Sequence, residues 1–487
     1  MSGKDRTGEA GRPSALGPRH SAGASSEAER TRPPSAGTRP SAEPRPYSRR
    51  DFVSTLSSAA AFTIVPRHVL GRGFRAPSDT LNIACVGVGG MGRQDVNGLS
   101  GENLVALVDV DWQRAADTFA AYPKAKRYRD WREMLDKEGR SIDAVAVSTP
   151  DHTHATIAMA ALRAGKHVYC QKPLARTIGE VRAMMAESAR RPKQSTQMGN
   201  QGHAGEGTRQ IREWIEAGTL GTVREVHYWT NRPIWPQAIE RPTEMHAPDP
   251  RLSWDLWLGP APERPYHPAY VPFRWRGWWD FGTGALGDIA CHAMDAAFWT
   301  LDLGYPERIE AESTTLFTET APAASRIVYS FPAKGSRPAV RVVWRDGSFL
   351  PARPAAADPS LPWPPHPEGG QLWIGDNGQH LVADMYGRNP RLLDAARDAA
   401  VKASPPPQKY PRLENVYKEW TDAAKAGTQA GSSFAGHAGP LTQMVLLGNL
   451  AVRAGRPIDL DPATGAVKTT GIPEEWITPA YRTGWKL

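Results

Sequence analysis

The feature that most constrains the fold of this chain is a glycine-rich turn, GVGGMG, at residues 87–92. It follows an apolar run rich in β-branched residues and precedes a helical stretch. Glycines at its first, third and sixth positions permit a tight turn, close approach of the backbone to a pyrophosphate, and close packing of helix on strand. Backbone N–H groups and the helix dipole then face the phosphates. The turn therefore predicts a dinucleotide site formed by Gly87, Gly89, Gly90, Met91 and Gly92.

The residues around this turn alternate short apolar runs with helical stretches, which is typical of buried parallel strands joined by crossover helices. The predicted strands are Leu81–Val88, Leu104–Val110, Ala144–Ser148 and His167–Cys170. The predicted helices are Arg114–Tyr122, His154–Ala164 and Thr177–Arg190. We therefore expect an α/β fold, with a doubly wound Rossmann sheet in residues 78–205.

An acidic residue, Asp109, ends the second of these strands, 22 residues after Gly87. A carboxylate at this place accepts hydrogen bonds from the ribose hydroxyls of adenosine and repels a 2′-phosphate, which favours NAD over NADP. Arg114, five residues further on, is able to pair with a phosphate, so NADP stays open as the alternative.

The helix–strand alternation stops near Thr222, and residues 206–457 are expected to form an α+β domain on one large, mostly antiparallel open sheet. Its predicted strands are Val223–Thr230, Arg308–Phe317, Arg326–Ser330, Ala339–Trp344 and Gln371–Ile374. The predicted helices Glu414–Ala426 and Leu441–Ala454 pack back on the body, and residues 458–487 form a C-terminal tail.

The positive charge is concentrated at the start of the chain. Residues 1–75 carry a net charge of +7, whereas the whole chain carries +8, so the body is close to neutral. A balanced body excludes an extended phosphate-binding surface, and we expect no nucleic-acid partner. Residues 1–47 contain no Val, Ile, Phe or Trp and are expected to form a disordered leader.

The sequence SRRDF at residues 48–52 resembles a twin-arginine export signal, a receptor-read address that we assign to residues 48–75. The apolar run Val53–Val65 that follows is shorter than the roughly 20 residues needed to span a bilayer. The alternative is a basic, Ala-rich linker. The signal predicts a periplasmic protein, or one tethered to the outer side of the membrane by an uncleaved leader.

The chain contains three cysteines, Cys85, Cys170 and Cys291, which are too few for a disulfide framework. Each has apolar or small neighbours, so buried thiols are expected. No set of Cys and His residues has zinc-site spacing, and we expect no metal.

Two further groups have the chemistry that alcohol oxidation requires. Asp288 and His292 are four residues apart on a predicted helix, so both project from one face, and His292 is a plausible general base. Lys172 follows a predicted sheet strand, at the edge where ligands bind in open α/β sheets, and its cation suits a developing alkoxide. Alone, an Asp–His pair at this spacing is more often a hydrogen-bonded pair on a helix surface, and a Lys-Pro sequence after a strand is usually a turn.

Two long stretches contain these residues: STPDHTHATIAMAALRAGKHVYCQKPLA at residues 148–175 and GTGALGDIACHAMD at residues 282–295. Together with the glycine turn, and in the same order, they resemble the Gfo/Idh/MocA family of glucose–fructose oxidoreductase, inositol dehydrogenase and rhizopine-catabolism proteins. The resemblance covers about Leu81 to Pro457. It implies that Lys172, Asp288 and His292 form the catalytic trio.

The resemblance also implies a set of residues on the nicotinamide side. These are Ser148, Pro150, Asp151, His154, Gln171 and Asn200. For His154 the alternative is local packing at a helix start, and Asn200 and its neighbour His203 are also candidates to face substrate. Gln171 departs from the family, which has Glu at this place, so details of the nicotinamide contact are in doubt. The resemblance further implies a homo-oligomer whose subunits contact one another through the outer face of the second sheet.

Seven tryptophans lie between Tyr228 and Phe281. Indole faces suit the C–H faces of sugars, although packing explains most of these residues better. The segment Pro351–Gly370 is rich in proline and is expected to form an extended loop or arm.

Export limits the mechanism, because no nicotinamide pool outside the cell renews a spent cofactor. We expect an oxidoreductase that transfers hydride between a sugar or cyclitol alcohol and a tightly bound NAD. The alternative is a redox-neutral NAD-dependent glycoside hydrolase, in which a sugar is oxidised, eliminates its substituent, takes up water and is reduced again. A second alternative, a non-catalytic dinucleotide-binding sensor, is disfavoured by the retention of Lys172 and the Asp288/His292 pair.

Overall fold

The structure is a computed structural model that describes residues 79–360 and 362–487. Its first layer is a six-stranded parallel sheet with the strand order β3-β2-β1-β4-β5-β6. The strands are β1 Asn82–Val86, β2 Asn103–Val108, β3 Lys126–Tyr128, β4 Ala144–Val147, β5 His167–Cys170 and β6 Thr196–Met198. The helices are α1 Met91–Gly98, α2 Ala116–Ala121, α3 Trp131–Glu138, α4 Asp151–Arg163, α5 Ile178–Ala189 and α6 Glu206–Glu216. The predicted doubly wound sheet is confirmed.

The second layer is an eight-stranded sheet with the strand order β13-β12-β11-β7-β10-β9-β8-β14. Its strands are β7 Val223–Thr230, β8 Arg308–Ser313, β9 Ser325–Phe331, β10 Val340–Arg345, β11 Gly369–Gly375, β12 His380–Asp384, β13 Arg391–Leu392 and β14 Ile458–Asp459. Only the pair β7–β10 is parallel among these strands, so the sheet is mostly antiparallel, as predicted.

Six further helices complete the described part of the chain. They are α7 Trp254–Leu258, α8 Gly284–Ala293, α9 Asp295–Thr300, α10 Ala395–Ala403, α11 Val416–Ala426 and α12 Gly439–Ala454. Helix α12 is buried along almost its whole length and packs against α5, α8 and β8, because its sequence is apolar on all sides. It ends at Gly455, whose φ of 61° suits glycine. None of the helices in these residues is both long and apolar enough to cross a membrane.

Local chemistry explains where the boundaries differ from the prediction. Strand β1 ends at Val86, before the predicted Val88, because Gly87 turns the chain with a φ of 79°. Helix α4 begins at Asp151, three residues before the predicted His154, because Pro150 sets its first turn. The short polar strand β3 lacks any apolar alternation and was not foreseen.

Two segments close the carboxyl edge of the first sheet. The residues before α7 lie across the end of β2, where the Ser253 N–H donates to the carbonyl of Val110 at 2.9 Å. The C-terminal segment packs back on the body: the Tyr481 hydroxyl donates to Glu180 at 2.7 Å, and Arg482 donates to the carbonyl of Gly259 at 3.1 Å. The segment predicted as a tail is therefore part of the packed structure.

The Pro-rich segment before β11 covers part of the outer face of the second sheet. The Trp229 indole N–H donates to the carbonyl of His366 at 2.7 Å, and Trp363 packs against the cluster of Trp229, Leu372 and Val382. The predicted leader and export signal lie outside the described residues.

Substitution of Gly448 on α12 tests how this helix supports α8. A Cβ at Gly448 would overlap the hydroxyl of Tyr329 and approach Leu286 of α8 to 2.9 Å. We expect Gly448→Ala to destabilise the protein by about 1–3 kcal/mol through overpacking. The double variant Gly448→Ala/Tyr329→Phe, which lacks the overlapping oxygen, should recover part of the loss in thermal unfolding. An unchanged melting temperature in Gly448→Ala would contradict this packing.

Candidate active site

A cavity of about 760 Å³ lies where the glycine turn, the carboxyl ends of the first sheet and helix α8 meet. Strands β1, β4 and β5 end at its wall, and the segments following β7 and β12 close its far side. Ligands of open α/β sheets bind at this edge. The cavity also holds most of the chain's predicted site residues.

The glycine turn permits no larger residue. A Cβ at Gly92 would overlap the carbonyl oxygen of Gly87, and a Cβ at Gly87 would lie 2.7 Å from the carbonyl oxygen of Ser148. Gly87 and Gly89 line the cavity together with Met91, the first residue of α1. Gly90 and Gly92 shape the turn from behind and are outside the cavity lining. The backbone therefore approaches the cavity closely enough to receive a pyrophosphate.

The Asp109 carboxylate binds the glycine turn itself. One oxygen accepts hydrogen bonds from the N–H groups of Val88 at 2.8 Å and Gly89 at 3.0 Å, and the other accepts from Asp111 at 2.9 Å. Burial raises the pKa of this carboxyl, and the three hydrogen bonds oppose that rise. Asp109 lines the cavity, as does Arg114, whose side chain packs over Gly89. The contact of Asp109 with a ribose stays a prediction.

Gln171 belongs to a buried network centred on Asp95. Its amide donates to both oxygens of the Asp95 carboxylate, at 2.9 and 3.0 Å. The hydroxyls of Ser148 and Tyr417 donate to the same carboxylate at 2.6 and 2.7 Å. Burial raises the pKa of the Asp95 carboxyl, and the hydrogen bonds from Ser148, Tyr417 and Gln171 oppose that rise. A glutamate at position 171 would place a second carboxyl group in this buried contact, whereas the glutamine amide donates to the first.

Lys172 is held in place by helix α8. Its ammonium donates to the Asp288 carboxylate at 3.0 Å and to the backbone carbonyl of Asp288 at 2.8 Å. Arg276 donates to the same carboxylate oxygen at 3.1 Å. Burial alone would raise the pKa of the Asp288 carboxyl, but the two cations and their hydrogen bonds outweigh it and hold the pKa below its ordinary value. Asp288 therefore stays ionised and fixes the ammonium at the cavity wall.

His292 lies one helical turn after Asp288 and lines the same cavity. Its Nδ1 is buried without a hydrogen-bond partner among the residues that the structure describes. Burial and the nearby charge of Lys172 lower the pKa of the imidazole to about 3, so the ring is neutral at pH 7. The Tyr386 ring lies 5.0 Å away, centroid to centroid. The ring is free to accept a hydrogen bond from a ligand.

Asp151 supplies a second titratable group. It is the first residue of α4, is 4% exposed, and accepts a hydrogen bond from the Thr283 hydroxyl at 2.8 Å. Burial raises its pKa to about 7, against the lowering effect of that hydrogen bond and of Lys172 and Arg276. Ser148 and Pro150 line the cavity beside it.

Two predicted cofactor contacts are corrected by the structure. His154 is 1% exposed, and its two ring nitrogens lie 2.8 Å from the carbonyl oxygens of Pro173 and Thr149, so it joins two backbone segments outside the cavity lining. Burial lowers its pKa to about 4. Asn200 is fully buried and donates to Asp295 at 2.8 Å, which also keeps it outside the lining.

The structure groups His203, Asp295 and His437 in one buried cluster that sequence spacing did not reveal. Asp295 lies 3.1 Å from Nδ1 of His203 and 2.6 Å from Nε2 of His437, and the three side chains could hold a metal ion. The cluster contains no cysteine, and the expectation that the protein has no metal stays a prediction. The observed distances are those of a hydrogen-bonded network, which anchors the start of α9. All three cysteines are free and buried, as predicted.

Sequence reasoning missed several residues of the cavity wall. The most consequential are Arg232, Arg276, Tyr386, Arg388, Tyr417 and Trp485. Arg276 stands within the tryptophan-rich stretch and stacks on Trp275 and Phe273, at 4.3 and 4.4 Å from the ring centroids. Among the predicted tryptophans, Trp235, Trp257 and Trp275 line the cavity, whereas Trp229 and Trp278 are core residues.

Comparison with known proteins identifies the family. Residues 81–199 match the oxidoreductase family with an NAD-binding Rossmann fold, Gfo/Idh/MocA, and residues 208–338 match the C-terminal α/β domain of the same family. Together the two matches span just over half of the chain. The chain belongs to this family, and its first domain is an NAD-binding Rossmann domain.

Individual relatives are more distant. Inositol 2-dehydrogenase of Salmonella typhimurium is 30% identical over 153 residues, which cover 30% of this chain and 45% of that protein. The chain thus spans about half the length of the curated relatives it matches. The WlbA dehydrogenase of Bordetella pertussis, solved with NADH and UDP-GlcNAcA, has a TM-score of 0.53 at 17% identity, covering 78% of this chain and 99% of that one.

A second similar structure is aldose–aldose oxidoreductase from Caulobacter crescentus, solved with glycerol. Its TM-score is 0.53 at 18% identity, and the match covers 78% of this chain and all of that chain. Both structural matches show a shared fold.

Exchange of Asp95 and Gln171 tests the buried network. Gln171→Glu should lower the melting temperature and weaken NAD binding at least tenfold, because two carboxylates then meet in a buried site. The exchange variant Asp95→Asn/Gln171→Glu keeps one charge and one amide in contact, so it should restore both properties to near the wild-type values. Equal NAD affinity in Gln171→Glu and the wild type, measured by fluorescence titration, would contradict this interpretation of the network.

Proposed function

We propose that this protein oxidises a secondary alcohol of a sugar or cyclitol, with hydride transfer to a tightly bound NAD. The observation that carries the proposal is the convergence of Lys172 and His292 on the cavity that also holds the glycine turn. An ammonium, a neutral imidazole and a pyrophosphate-sized turn are the groups that this chemistry needs. When bound, the nicotinamide supplies the hydride acceptor.

His292 acts as the proton acceptor in this proposal. Its low pKa leaves a lone pair available at pH 7, so a substrate hydroxyl in the cavity can donate to the ring. As negative charge develops on the substrate oxygen, the proton affinity of the adjacent imidazole rises and the ring takes the proton. A positioned base of this kind contributes about 10²–10⁴-fold to the rate.

Lys172 stabilises the charge that forms on the oxygen. Asp288 and Arg276 fix the ammonium before the reaction, so little reorganisation is needed when that charge develops. Lys172 donates to both the carboxylate and the backbone carbonyl of Asp288, and these two hydrogen bonds keep its side chain from turning toward solvent.

The architecture favours slow release of the dinucleotide. Trp257 of α7 and Trp485 of the C-terminal segment line the cavity together with the glycine turn. Trp485 is held by the guanidinium of Arg132, 4.4 Å from its ring centroid. A dinucleotide held in this way stays with the protein through many turnovers.

We propose that the protein is exported in its folded form by the twin-arginine signal of residues 48–75, carrying its cofactor, to the periplasm or the outer side of the membrane. The reduced cofactor must then be reoxidised within each cycle, for example by a second carbonyl substrate at the same site. The name of the similar aldose–aldose oxidoreductase describes a reaction between two sugars and supports this form of the proposal. We also propose that the protein forms a homo-oligomer. NADP stays the alternative cofactor because Arg114 lines the cavity.

A redox-neutral glycoside hydrolase is the second candidate, and Asp151 favours it. Elimination next to a transient ketone requires a second proton acceptor besides His292. Asp151 lines the cavity and has a pKa of about 7, so it can exchange a proton at neutral pH. A dinucleotide-binding sensor would need neither group.

The test is to purify the full chain, identify any released dinucleotide, and screen free sugars, cyclitols and aryl glycosides. Stoichiometric NADH formed from a free sugar or cyclitol supports the dehydrogenase. Glycoside cleavage without added NAD and without net reduction supports the hydrolase. Absence of turnover on every class would leave the sensor.

Variants of the two converging residues give a sharper measurement. We expect Lys172→Met to lower kcat by about 10³-fold or more, since it removes the cation beside the developing charge. His292→Asn should lower kcat by about 10²–10⁴-fold. Both should retain bound dinucleotide, measured by absorbance after denaturation. Wild-type turnover in Lys172→Met would contradict the proposed function.

Asp151 predicts a pH dependence. Its folded-state pKa of about 7 means that the carboxyl is protonated below pH 7 and ionised above it. If the ionised form relays the substrate proton, kcat should rise as the pH increases through about 7. Asp151→Asn should remove this inflection and leave a flat profile from pH 6 to 8. An identical inflection in Asp151→Asn would exclude Asp151 as its source.

A further inference from the structure

We propose that the substrate carries an anionic group, a carboxylate or a phosphate ester, and that Arg232 and Arg388 recognise it. This inference rests on the proposed function, because it names the substrate class of the same cavity. Both arginines line that cavity together with Lys172 and His292.

Sheet topology places the two arginines at one edge. Strand β7 ends at Thr230 and β12 ends at Asp384, and both are paired with the first residues of β11, since Thr230 lies opposite Gly369 and Asp384 opposite Gly370. Arg232 and Arg388 follow those strand ends by two and four residues. The two guanidinium groups therefore follow the ends of the two strands that flank β11.

Neither guanidinium has a carboxylate partner among residues 79–360 and 362–487. Arg232 is half-buried, and its side chain donates to the neutral amide oxygen of Asn231 at 2.6 Å. Arg388 is an exposed residue whose guanidinium lies over the ring of Tyr386, 4.8 Å from its centroid. The nearby Asp384 carboxylate is engaged differently: it accepts the backbone N–H groups of Tyr386 and Arg388.

The other charges at this end of the cavity do not offset the two arginines. Asp288 is already shared by Lys172 and Arg276, and the raised pKa of Asp151 leaves it partly protonated at pH 7. The charge of Arg388 also contributes to lowering the pKa of His292, so the guanidinium acts on the reacting end of the cavity. Arg232 and Arg388 thus line the cavity without drawing on the Asp288 carboxylate, which pairs with Lys172 and Arg276.

Arginine is better suited to recognising an anionic group than to recognising a neutral hydroxyl group. Its planar fork binds carboxylate and phosphate oxygens with two parallel hydrogen bonds, and these bonds are stronger than those to neutral hydroxyls. An anionic substrate group would complete the charge balance of the cavity and orient the sugar with its reacting carbon toward His292.

The experiment compares matched sugars on the purified full chain with its dinucleotide. The probes are glucose, glucuronate and glucose 6-phosphate, and the three corresponding galactose compounds. We expect at least one anionic sugar to exceed its neutral counterpart by tenfold or more in kcat/KM. The uronate and phosphate arms identify which anion is recognised. The same sugars are tested for their effect on the melting temperature, a readout of binding without turnover.

Arginine variants assign the preference to its residues. Arg232→Met and Arg388→Met should reduce the anionic-to-neutral ratio of kcat/KM at least fivefold each, mainly through KM, and Arg388→Lys should recover part of that ratio. Arg397→Met, an exposed arginine on α10 outside the cavity lining, is the control and should keep the wild-type ratio.

Two outcomes overturn the inference in distinguishable ways. If neutral sugars are oxidised as well as every anionic counterpart, or if the arginine variants keep the wild-type ratio, the anionic class is wrong while the proposed function stands. If no sugar of either charge, and no cyclitol of the screen described above, changes the redox state of the dinucleotide or the melting temperature, the proposed function fails and the inference fails with it.

Discussion

The shared hold of Lys172 and Arg276 on the Asp288 carboxylate is the interaction on which the site depends. All three side chains are less than one-fifth exposed, so each charge needs the others to offset its loss of hydration. The two cations keep the carboxylate ionised, and the carboxylate keeps the ammonium aimed along the cavity wall. Helix α8 then places His292 one turn further along the same face. Removal of Asp288 would leave two buried cations without an anion.

A second constraint is steric and comes from the glycine turn. The turn brings backbone N–H groups to the carboxyl edge of the sheet, and Asp109 holds it from one side. Asp95 organises the opposite side through Ser148, Gln171 and Tyr417. Gln171, which stands where the family resemblance implies glutamate, donates its amide N–H groups to the Asp95 carboxyl in this network.

The sequence predicted the parts of this structure that local patterns encode. Strands β5 and β7 match their predicted bounds, and the three residues that the family resemblance singled out, Lys172, Asp288 and His292, line one cavity. Patterns were insufficient where long-range packing decides the role of a side chain. The family resemblance implied that His154 contacts the cofactor, yet its two ring nitrogens lie 2.8 Å from two backbone carbonyl oxygens. Lys172 and its partner Asp288 are 116 residues apart, and the hydrophobic periodicity of a sequence does not predict a contact between residues so far apart. The cluster of His203, Asp295 and His437 was missed for the same reason.

The most direct test of the central claim is a crystal structure of the full chain with NAD bound. The account predicts that the nicotinamide ring lies in the cavity, with the Lys172 ammonium and the His292 imidazole both facing the space beside carbon C4, so that a substrate carbon could stand about 3–3.5 Å from it. A dinucleotide bound outside the cavity, or a ring with these two side chains on opposite faces, would contradict it.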